Sequence, residues 1–282
     1  MNTASWSPTA LSLINQLVAI LYLTTTWLYG LYFFRDDETA NKYKQRVLIG
    51  TVVVHVLYLG LLTSLQGYRL SYSTVNLMSM VGFTLTSTYL LTEFTTKSDK
   101  TGFFIIAFAT GAQLISSILA SMLPEYGNNA VAAPGIGVHL IAAIFSFSSI
   151  AIAGLYSALY LLMFREIRTN HFALLFQRLP SLEILEKLTM HAVSVGFLFL
   201  TVTLGAGYIA LSQINTPIIF LEPKMLTLLI IWLCYGTGLL IKPIIGWDIK
   251  HMAILFISLF IFATILILFM TIVSPTFHGI RP

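Results

Sequence analysis

Long apolar runs, separated by short polar loops, constrain this chain more than any other feature of its sequence. Eight such runs occur, at roughly 9–34, 47–66, 73–94, 103–123, 137–164, 188–212, 224–242 and 251–274. A helix needs about 20 apolar residues to cross the hydrocarbon core of a bilayer. Lipid offers no partner to backbone polar groups, and long alternating strands are absent, so each run predicts a membrane-spanning helix. The predicted fold class is all-α, a polytopic membrane helix bundle with about eight transmembrane helices.

Composition excludes a water-soluble protein. The chain is 57% hydrophobic and only 9% charged, whereas soluble domains carry about 25% charged residues. Its only cysteine is Cys234, so structural disulfides, Cys-x-x-Cys thiol exchange and thioether-linked haem are excluded. The net charge of +4 does not point to nucleic acid. We expect one transmembrane domain over residues 1–282.

The basic residues predict the orientation of this bundle. Twelve of the 15 Lys and Arg residues lie in or beside the loops at 35–46, 95–102, 165–187 and 243–250. Cytoplasmic loops carry an excess of Lys and Arg, so both termini are predicted to lie outside. In the longest inner loop, Ser181 is predicted to cap a helix that begins as an elbow on the membrane surface before the sixth span.

Four of the six histidines are placed where an imidazole is unusual. His55 and His191 lie inside apolar runs, whereas His139 opens the fifth span and His278 follows the eighth, both on the predicted outer side. Histidine in hydrocarbon is costly, and neutral histidine is a common ligand of metals and haem iron. Two outer histidines from different helices, and two inner ones, therefore suggest a membrane haem protein.

Simpler interpretations of the same histidines stay open. His139 and His278 are alternatively surface-level residues with no shared ligand. His55 and His191 alternatively bond a carbonyl or hydroxyl group of a neighbouring helix. Polar side chains suited to that role are plentiful in the spans, among them Ser87, Thr88 and Thr237.

Other patterns in the spans give weaker signals. The acidic residues nearest the membrane lie at span ends, which disfavours an ion-driven transporter because such proteins bury a carboxylate; they are Glu93, Glu125 and Glu222. "GAGY" at 205–208 and "GTG" at 236–238 are interpreted as sites of close helix packing.

Several stretches together resemble the cytochrome c assembly protein family. They are "HLIAAIFSFSSIAIAGLYSALYLL" (139–162), "LPSLEILEKLTMHAVSVGFLFLTVTLGAGY" (179–208), "LEPKMLTLLIIWLCYGTGLL" (221–240) and "GWDIK" (246–250). The family-like core covers about 137–278, and the chain is most similar to the short YpjD/HemX-type inner-membrane branch of this CcsA/HemX-like family. The first half resembles the family mainly in span layout and His55.

The resemblance implies haem handling and a set of cofactor-binding residues. His139 matches the outer histidine that begins its span, and His278 matches the second outer histidine. His55 matches a buried histidine of an early helix, and His191 one typical of the short branch. The implied cofactor is non-covalent haem b, with its iron ligated through His139 and His191.

The chain also departs from the family pattern. Lys242 stands where larger members have their other buried histidine. The tryptophan-rich outer motif is reduced to a remnant, and the chain is not expected to be a complete haem lyase. The retained positions are Glu222, Pro223, Lys224 and Trp232.

These observations predict a haem-binding integral membrane protein of cytochrome c assembly type that holds or hands on haem, without catalytic chemistry of its own. The alternative is an accessory or regulatory subunit of tetrapyrrole synthesis or of a metal-ion transporter, without haem transfer. The expected location is the bacterial-type cytoplasmic (inner) membrane. Expected partners are lipid and other cytochrome c assembly or transporter membrane proteins, and no nucleic acid.

Overall fold

A computed structural model describes residues 8–66, 74–122, 136–170, 174–213 and 223–273. All regular structure in these residues is helical, which confirms the all-α prediction for them. In chain order the helices are α1 (Pro8–Arg35), α2 (Glu38–Gln66), α3 (Thr74–Thr96), α4 (Gly102–Met122), α5 (Ile136–Arg168), α6 (Leu174–Arg178), α7 (Leu182–Gln213), α8 (Pro223–Ile245) and α9 (Ile249–Val273).

Six stretches of these helices are long and apolar enough to cross a membrane, so the chain is a multi-pass membrane protein. They are Leu11–Arg35, Glu38–Leu65, Gly102–Met122, Gly137–Arg168, Leu182–Ile209 and Ile249–Leu266. A shorter apolar stretch, Leu226–Ile241, lies within α8. Helix α3 has the length of a span, but its Thr and Ser residues make it more polar than these six.

Several helices begin or end with local signals that the sequence contains. The Asp37 carboxylate accepts the backbone N–H of Ala40 at 2.7 Å, which caps the start of α2. Asp36 and Lys97, which follow α1 and α3, adopt left-handed φ angles of 57° and 53°. Such residues close the C-terminus of a helix by returning an N–H to a carbonyl of its last turn, and Asp36 does so to Tyr32 at 3.1 Å.

The segment before the sixth predicted span forms part of one long helix. Helix α7 begins at Leu182, directly after Ser181, and continues without interruption to Gln213. The backbone carbonyl of Ser181 accepts the N–H groups of Ile184 and Leu185 at 3.0 Å. The predicted helix start is therefore confirmed, and residues 182–187 are the first turns of α7 rather than a separate elbow.

The chain divides into two compact units, Met1–Ala130 and Val131–Pro282. In the N-terminal unit, α4 packs against α1 and α3, and α2 packs against α1 and α3. In the C-terminal unit, α5 packs most extensively against α7 and also against α9, and α8 contacts both α7 and α9. The prediction of a single domain over 1–282 stays a prediction.

Glycines allow close helix packing in the C-terminal unit. A side chain at Gly154 would lie 2.7 Å from the Phe260 ring, and one at Gly196 would lie 3.1 Å from Ile150. Gly236 and Gly238 are packed equally closely, against Phe197 and Phe256 respectively, at 2.9 Å. This confirms the packing interpretation of "GTG" at 236–238.

Candidate functional site

His55 lies in the middle of α2, and both of its ring nitrogens are engaged within the N-terminal unit. The side chain is fully buried, with an exposed fraction of 0%. Its Nδ1 is 2.9 Å from the hydroxyl of Tyr22, and its Nε2 is 2.9 Å from the hydroxyl of Ser79. These contacts confirm the interpretation in which His55 bonds hydroxyl groups of neighbouring helices.

The partners of Ser79 assign the direction of these hydrogen bonds. Ser79 donates its hydroxyl proton to the side-chain carbonyl of Gln113 at 2.9 Å. Because a hydroxyl has only one proton, Nε2 of His55 must donate to Ser79, and in the neutral ring Nδ1 then accepts from Tyr22. His55 is therefore the Nε2-protonated tautomer.

The same sequence of bonds continues through the unit. Gln113 donates from Nε2 to the side-chain oxygen of Asn15 at 3.3 Å. Asn15 in turn donates from Nδ2 to the Tyr58 hydroxyl at 2.9 Å and to Ser116 at 3.2 Å. Side chains from α1, α2, α3 and α4 are thus joined in one network, which we call the His55 network and define as Tyr22, His55, Ser79, Gln113, Asn15 and Tyr58.

The His55 network bears directly on ligation of an iron. Iron binds an imidazole through a nitrogen lone pair. In His55 the lone pair on Nδ1 accepts the Tyr22 hydroxyl proton, and Nε2 carries a proton that goes to Ser79. His55 does not fit an iron ligand while this network is intact.

His139 is held differently, at the start of α5 in the C-terminal unit. The ring is half-buried, and its Nδ1 lies 2.9 Å from the backbone carbonyl oxygen of Thr203 on α7. A carbonyl oxygen only accepts, so Nδ1 carries the proton, and in the neutral ring Nε2 carries the lone pair.

Gly207 makes room for this arrangement. It lies one turn beyond Thr203 on α7, and a Cβ atom there would be 2.9 Å from Nδ1 of His139. By contrast, a Cβ atom at Gly205 would meet nothing within 4 Å. Within the "GAGY" motif, the packing interpretation is therefore confirmed at Gly207, where the packed group is the His139 ring.

The hydrogen bond of His139 is of the kind that metal-ligating histidines make. Metal-ligating histidines donate their other ring N–H to a carboxylate or backbone carbonyl, which fixes the tautomer and the ring orientation. His139 makes a bond of this kind to Thr203 through Nδ1, which places the ring's lone pair on Nε2.

His191 is exposed on α7. It lies nine residues after Leu182, about 13 Å along the helix axis, and its ring has no hydrogen-bond partner among the residues that the structure describes. The neighbouring Ser194 donates its hydroxyl to Met190 of its own helix at 2.8 Å. A polar ring on the outside of a spanning helix is costly, so a group that covers His191 is expected.

His139 and His191 lie at different levels of the C-terminal unit. His139 contacts α7 at Thr203. Thr203 is twelve residues beyond His191 on the same helix, or about 18 Å along its axis. One iron cannot bind both rings at this separation. If both histidines ligate haem, each does so on its own iron.

Trp232 of the predicted motif remnant is bound to α7. Its indole N–H donates to the Thr201 hydroxyl at 2.8 Å, and its ring stacks on Phe197 with centroids 5.3 Å apart. Thr201 and Thr203 are two residues apart and so point to opposite sides of α7. Trp232 and His139 therefore approach α7 from different sides.

The other motif residues are placed only in part. Pro223 and Lys224 are the first two residues of α8, and proline is favoured at such a position because its missing N–H would have no partner there. Glu222 and His278 lie outside the described residues.

Sequence analysis missed a buried charged cluster at the Arg35 end of α1. Glu93, predicted to lie at a span end, is 5% exposed and accepts the hydroxyl of Tyr29 at 2.7 Å. Lys44, assigned to a loop, is in α2 and 2% exposed, and its ammonium lies 2.7 Å from the Asp99 carboxylate. No spacing in the sequence signals this cluster, because Tyr29, Lys44 and Glu93 lie on three different helices.

No group of three or more His, Cys, Asp or Glu side chains that could hold a bare metal ion occurs in the part of the chain that the structure describes. A haem iron differs from such an ion, because the porphyrin supplies four of its ligands and the protein needs to supply only one or two. The histidines above are therefore the relevant candidates.

Residues 74–278 match the family model described as "Cytochrome C assembly protein". Among curated proteins, the chain is similar to "Inner membrane protein YpjD" of Escherichia coli strains K12 and O157:H7, with 23% identity over 170 residues. That match covers 58% of this chain, and the chain spans 64% of the length of these relatives. No solved structure matches.

Proposed function

Because this chain belongs to the cytochrome C assembly protein family, we propose that it is an integral membrane protein that binds haem b non-covalently and hands it on through histidine ligands. The observation that carries the proposal is the bond from Nδ1 of His139 to the Thr203 carbonyl. This bond orients the ring and places its proton on Nδ1 and its lone pair on Nε2, the kind of hydrogen bond that metal-ligating histidines make.

His139 is the residue that we assign to the first haem. The Thr203 carbonyl fixes the tautomer, and Gly207 leaves the space in which the ring lies. The bound haem would supply a redox-active iron, and the axial ligand and its hydrogen bond would tune that iron. We propose His278 as the second ligand on the same side, from the family resemblance.

His191 is assigned to a second, separate haem position. Support comes from its exposed ring, which has no partner among the described residues, and from its distance to His139 along α7. A porphyrin covering this surface would remove the cost of an imidazole in hydrocarbon. His55 would join such a site only if the His55 network opened, and its assignment stays a prediction.

We further propose that the chain has no catalytic chemistry of its own and acts with other membrane proteins of cytochrome c assembly or with a transporter. Trp232, the motif tryptophan, is bonded to Thr201 and stacked on Phe197, so its N–H and one of its two aromatic faces are already engaged. A chain with this arrangement is suited to holding haem for a partner rather than to completing its attachment.

The proposed topology has eight spans, with α3 and α8 added to the six strongly apolar helices and both termini outside. Twelve of the 15 basic residues then lie on the cytoplasmic side. This agrees with the excess of Lys and Arg that cytoplasmic loops carry. The proposed location is the bacterial cytoplasmic membrane, which the names of the curated relatives support.

An absorbance spectrum of the detergent-purified protein, oxidised and then reduced with dithionite, tests the proposal. We expect a Soret band and split visible bands on reduction. His139→Ala should lower the haem affinity of the His139 position by about tenfold or more, because loss of a residue that only hydrogen-bonds a metal ligand already costs about 10–100-fold in metal affinity. His251→Ala is the matched control, since His251 is an exposed histidine of the same unit.

Two outcomes would contradict haem binding through His139. A flat spectrum after haem supplementation, in the wild-type protein and both variants, would favour the accessory-subunit function instead. Equal haem content in His139→Ala and His251→Ala would show that haem binds elsewhere.

A further inference from the structure

An apolar groove runs along the outside of the N-terminal unit, between α1 and α4. The groove is open to the surroundings, and its volume is about 580 Å³. The residues that form it include Leu23, Trp27, Gly30, Phe34, Arg35 and Phe103. Trp27 and Phe34 form exposed walls, with exposed fractions of 63% and 49%.

Gly30 and Phe103 shape the floor of this groove. A Cβ atom at Gly30 would lie 3.3 Å from the Phe103 ring, so the ring packs directly against the backbone of α1. The Phe103 ring also contacts Phe34 edge to face, with centroids 5.0 Å apart. The floor and one wall of the groove are therefore aromatic and packed against each other.

The groove ends at a cationic group. Arg35 is the last residue of α1 and lines the groove. No carboxylate lies within ion-pair distance of Arg35 among the described residues. Two acidic groups of the same end of the unit are already engaged, because Asp37 accepts the Ala40 N–H and Asp99 pairs with Lys44. The guanidinium therefore lies at the end of the apolar groove, at the end of α1.

We propose that this groove binds one anionic phospholipid, with an acyl chain along Trp27 and Gly30 and the phosphate on Arg35. A groove that faces hydrocarbon is filled by lipid chains, and an arginine binds phosphate oxygens through paired N–H donors. Basic pockets between transmembrane helices on the cytoplasmic side bind anionic head groups. With the proposed orientation of the bundle, the lipid belongs to the inner leaflet.

The proposal is independent of haem and is tested by counting bound lipid. The full chain is purified in detergent, stripped of lipid, and titrated with phosphatidylglycerol or, separately, with zwitterionic phosphatidylethanolamine. Bound lipid per protein is measured by native mass spectrometry. We expect preferential retention of phosphatidylglycerol, reduced at least about fivefold by Arg35→Gln and by Gly30→Leu.

Two control variants match these changes. Arg168 is also the last residue of a helix, α5, and is exposed, so Arg168→Gln removes the same charge elsewhere. Gly50 is an exposed helical glycine whose Cβ would meet nothing within 4 Å, so Gly50→Leu adds the same side chain without filling a groove. Neither control should change the amount of bound phosphatidylglycerol.

Several results would overturn the proposal. Equal retention of both lipids, or equal retention by Arg35→Gln and Arg168→Gln, would mean that only general annular lipid is present. If Gly30→Leu does not fold, Arg35→Gln still tests whether the groove selects anionic lipid. It removes only the charge of one exposed residue at the end of α1. Unaltered lipid together with a changed oligomeric state in Gly30→Leu would assign the groove to a second copy of the chain.

Discussion

In the N-terminal unit the ring of His55 lies fully buried between Tyr22 and Ser79, whereas in the C-terminal unit the ring of His139 is half-buried against the backbone of α7. Both are histidines of apolar runs, and both are hydrogen-bonded. Their partners differ, however, because two hydroxyls occupy both nitrogens of His55, while one carbonyl fixes the proton of His139 on Nδ1. The comparison teaches that the hydrogen-bond partner of an imidazole fixes which ring nitrogen carries the lone pair by which an iron would be bound.

The same difference separates structural from cofactor roles. Removing His55 breaks a network that joins four helices, so the main effect should be on stability. Disturbing His139 breaks a local arrangement of one ring and one helix, so the main effect should be on haem. The three predictions below test this division, from the largest expected effect to the smallest.

Replacing His55 with Leu should lower the free energy of unfolding by about 2–3 kcal/mol. The buried Tyr22 hydroxyl would lose its acceptor, and a buried donor without a partner costs about 1–3 kcal/mol. Denaturation in detergent, followed by circular dichroism, measures the change. His191→Leu, measured like His55→Leu on haem-free protein, is the control and should cost little, because that ring is exposed and has no partner among the described residues.

The haem content of the same variant sharpens the comparison. If His55 acts in the network, His55→Leu should keep the haem spectrum of the wild-type protein. Loss of haem with unchanged stability would instead identify His55 as a ligand and would contradict the division between the two units.

Replacing Gly207 with Val should weaken haem binding by about tenfold, or about 1.4 kcal/mol, as loss of an outer-shell contact does. The new Cβ would lie 2.9 Å from Nδ1 of His139 and would push the ring away from the Thr203 carbonyl. Haem titration, followed by absorbance, measures the affinity. Gly205→Val introduces the same β-branched residue two positions away, where a Cβ meets nothing, and should leave haem affinity unchanged.

The helices were predictable because a chain that crosses lipid as a single segment must be helical. Backbone groups in lipid must be paired within a helix, so each apolar run appears as one helix or lies within one. The ends were less predictable, because hydropathy detects only the apolar part. Helix α2 begins at Glu38 rather than at 47, since its first turns carry Lys42, Lys44 and Arg46.

The site was predictable only in its histidines. The sequence places His139 at the start of a span, but its partner is a backbone carbonyl 64 residues away. Because every residue has a backbone carbonyl, the sequence cannot show which one the ring contacts. His55 was predicted to bond hydroxyls as one alternative, yet Ser87 and Thr88 were candidates and Tyr22 and Ser79 are the partners. Which polar side chains meet depends on helix rotation, and spacing within one helix does not fix the rotation of its neighbour.

The smallest expected effect concerns Trp232, the retained residue of the motif remnant. Trp232→Phe keeps an aromatic ring against Phe197 but removes the N–H that donates to Thr201. Hydrogen bonds between membrane helices contribute about 0.6 kcal/mol on average, so unfolding should become easier by about that amount. Thr201→Val should have the same effect, and the double variant should lose no more stability than either single variant, because all three lack the same hydrogen bond.

Additive losses of stability in the double variant would show that the bond contributes nothing and that each side chain acts through other contacts. A fall in haem content in Trp232→Phe, with Thr201→Val unaffected, would place the indole beside the cofactor and contradict its separation from His139 across α7.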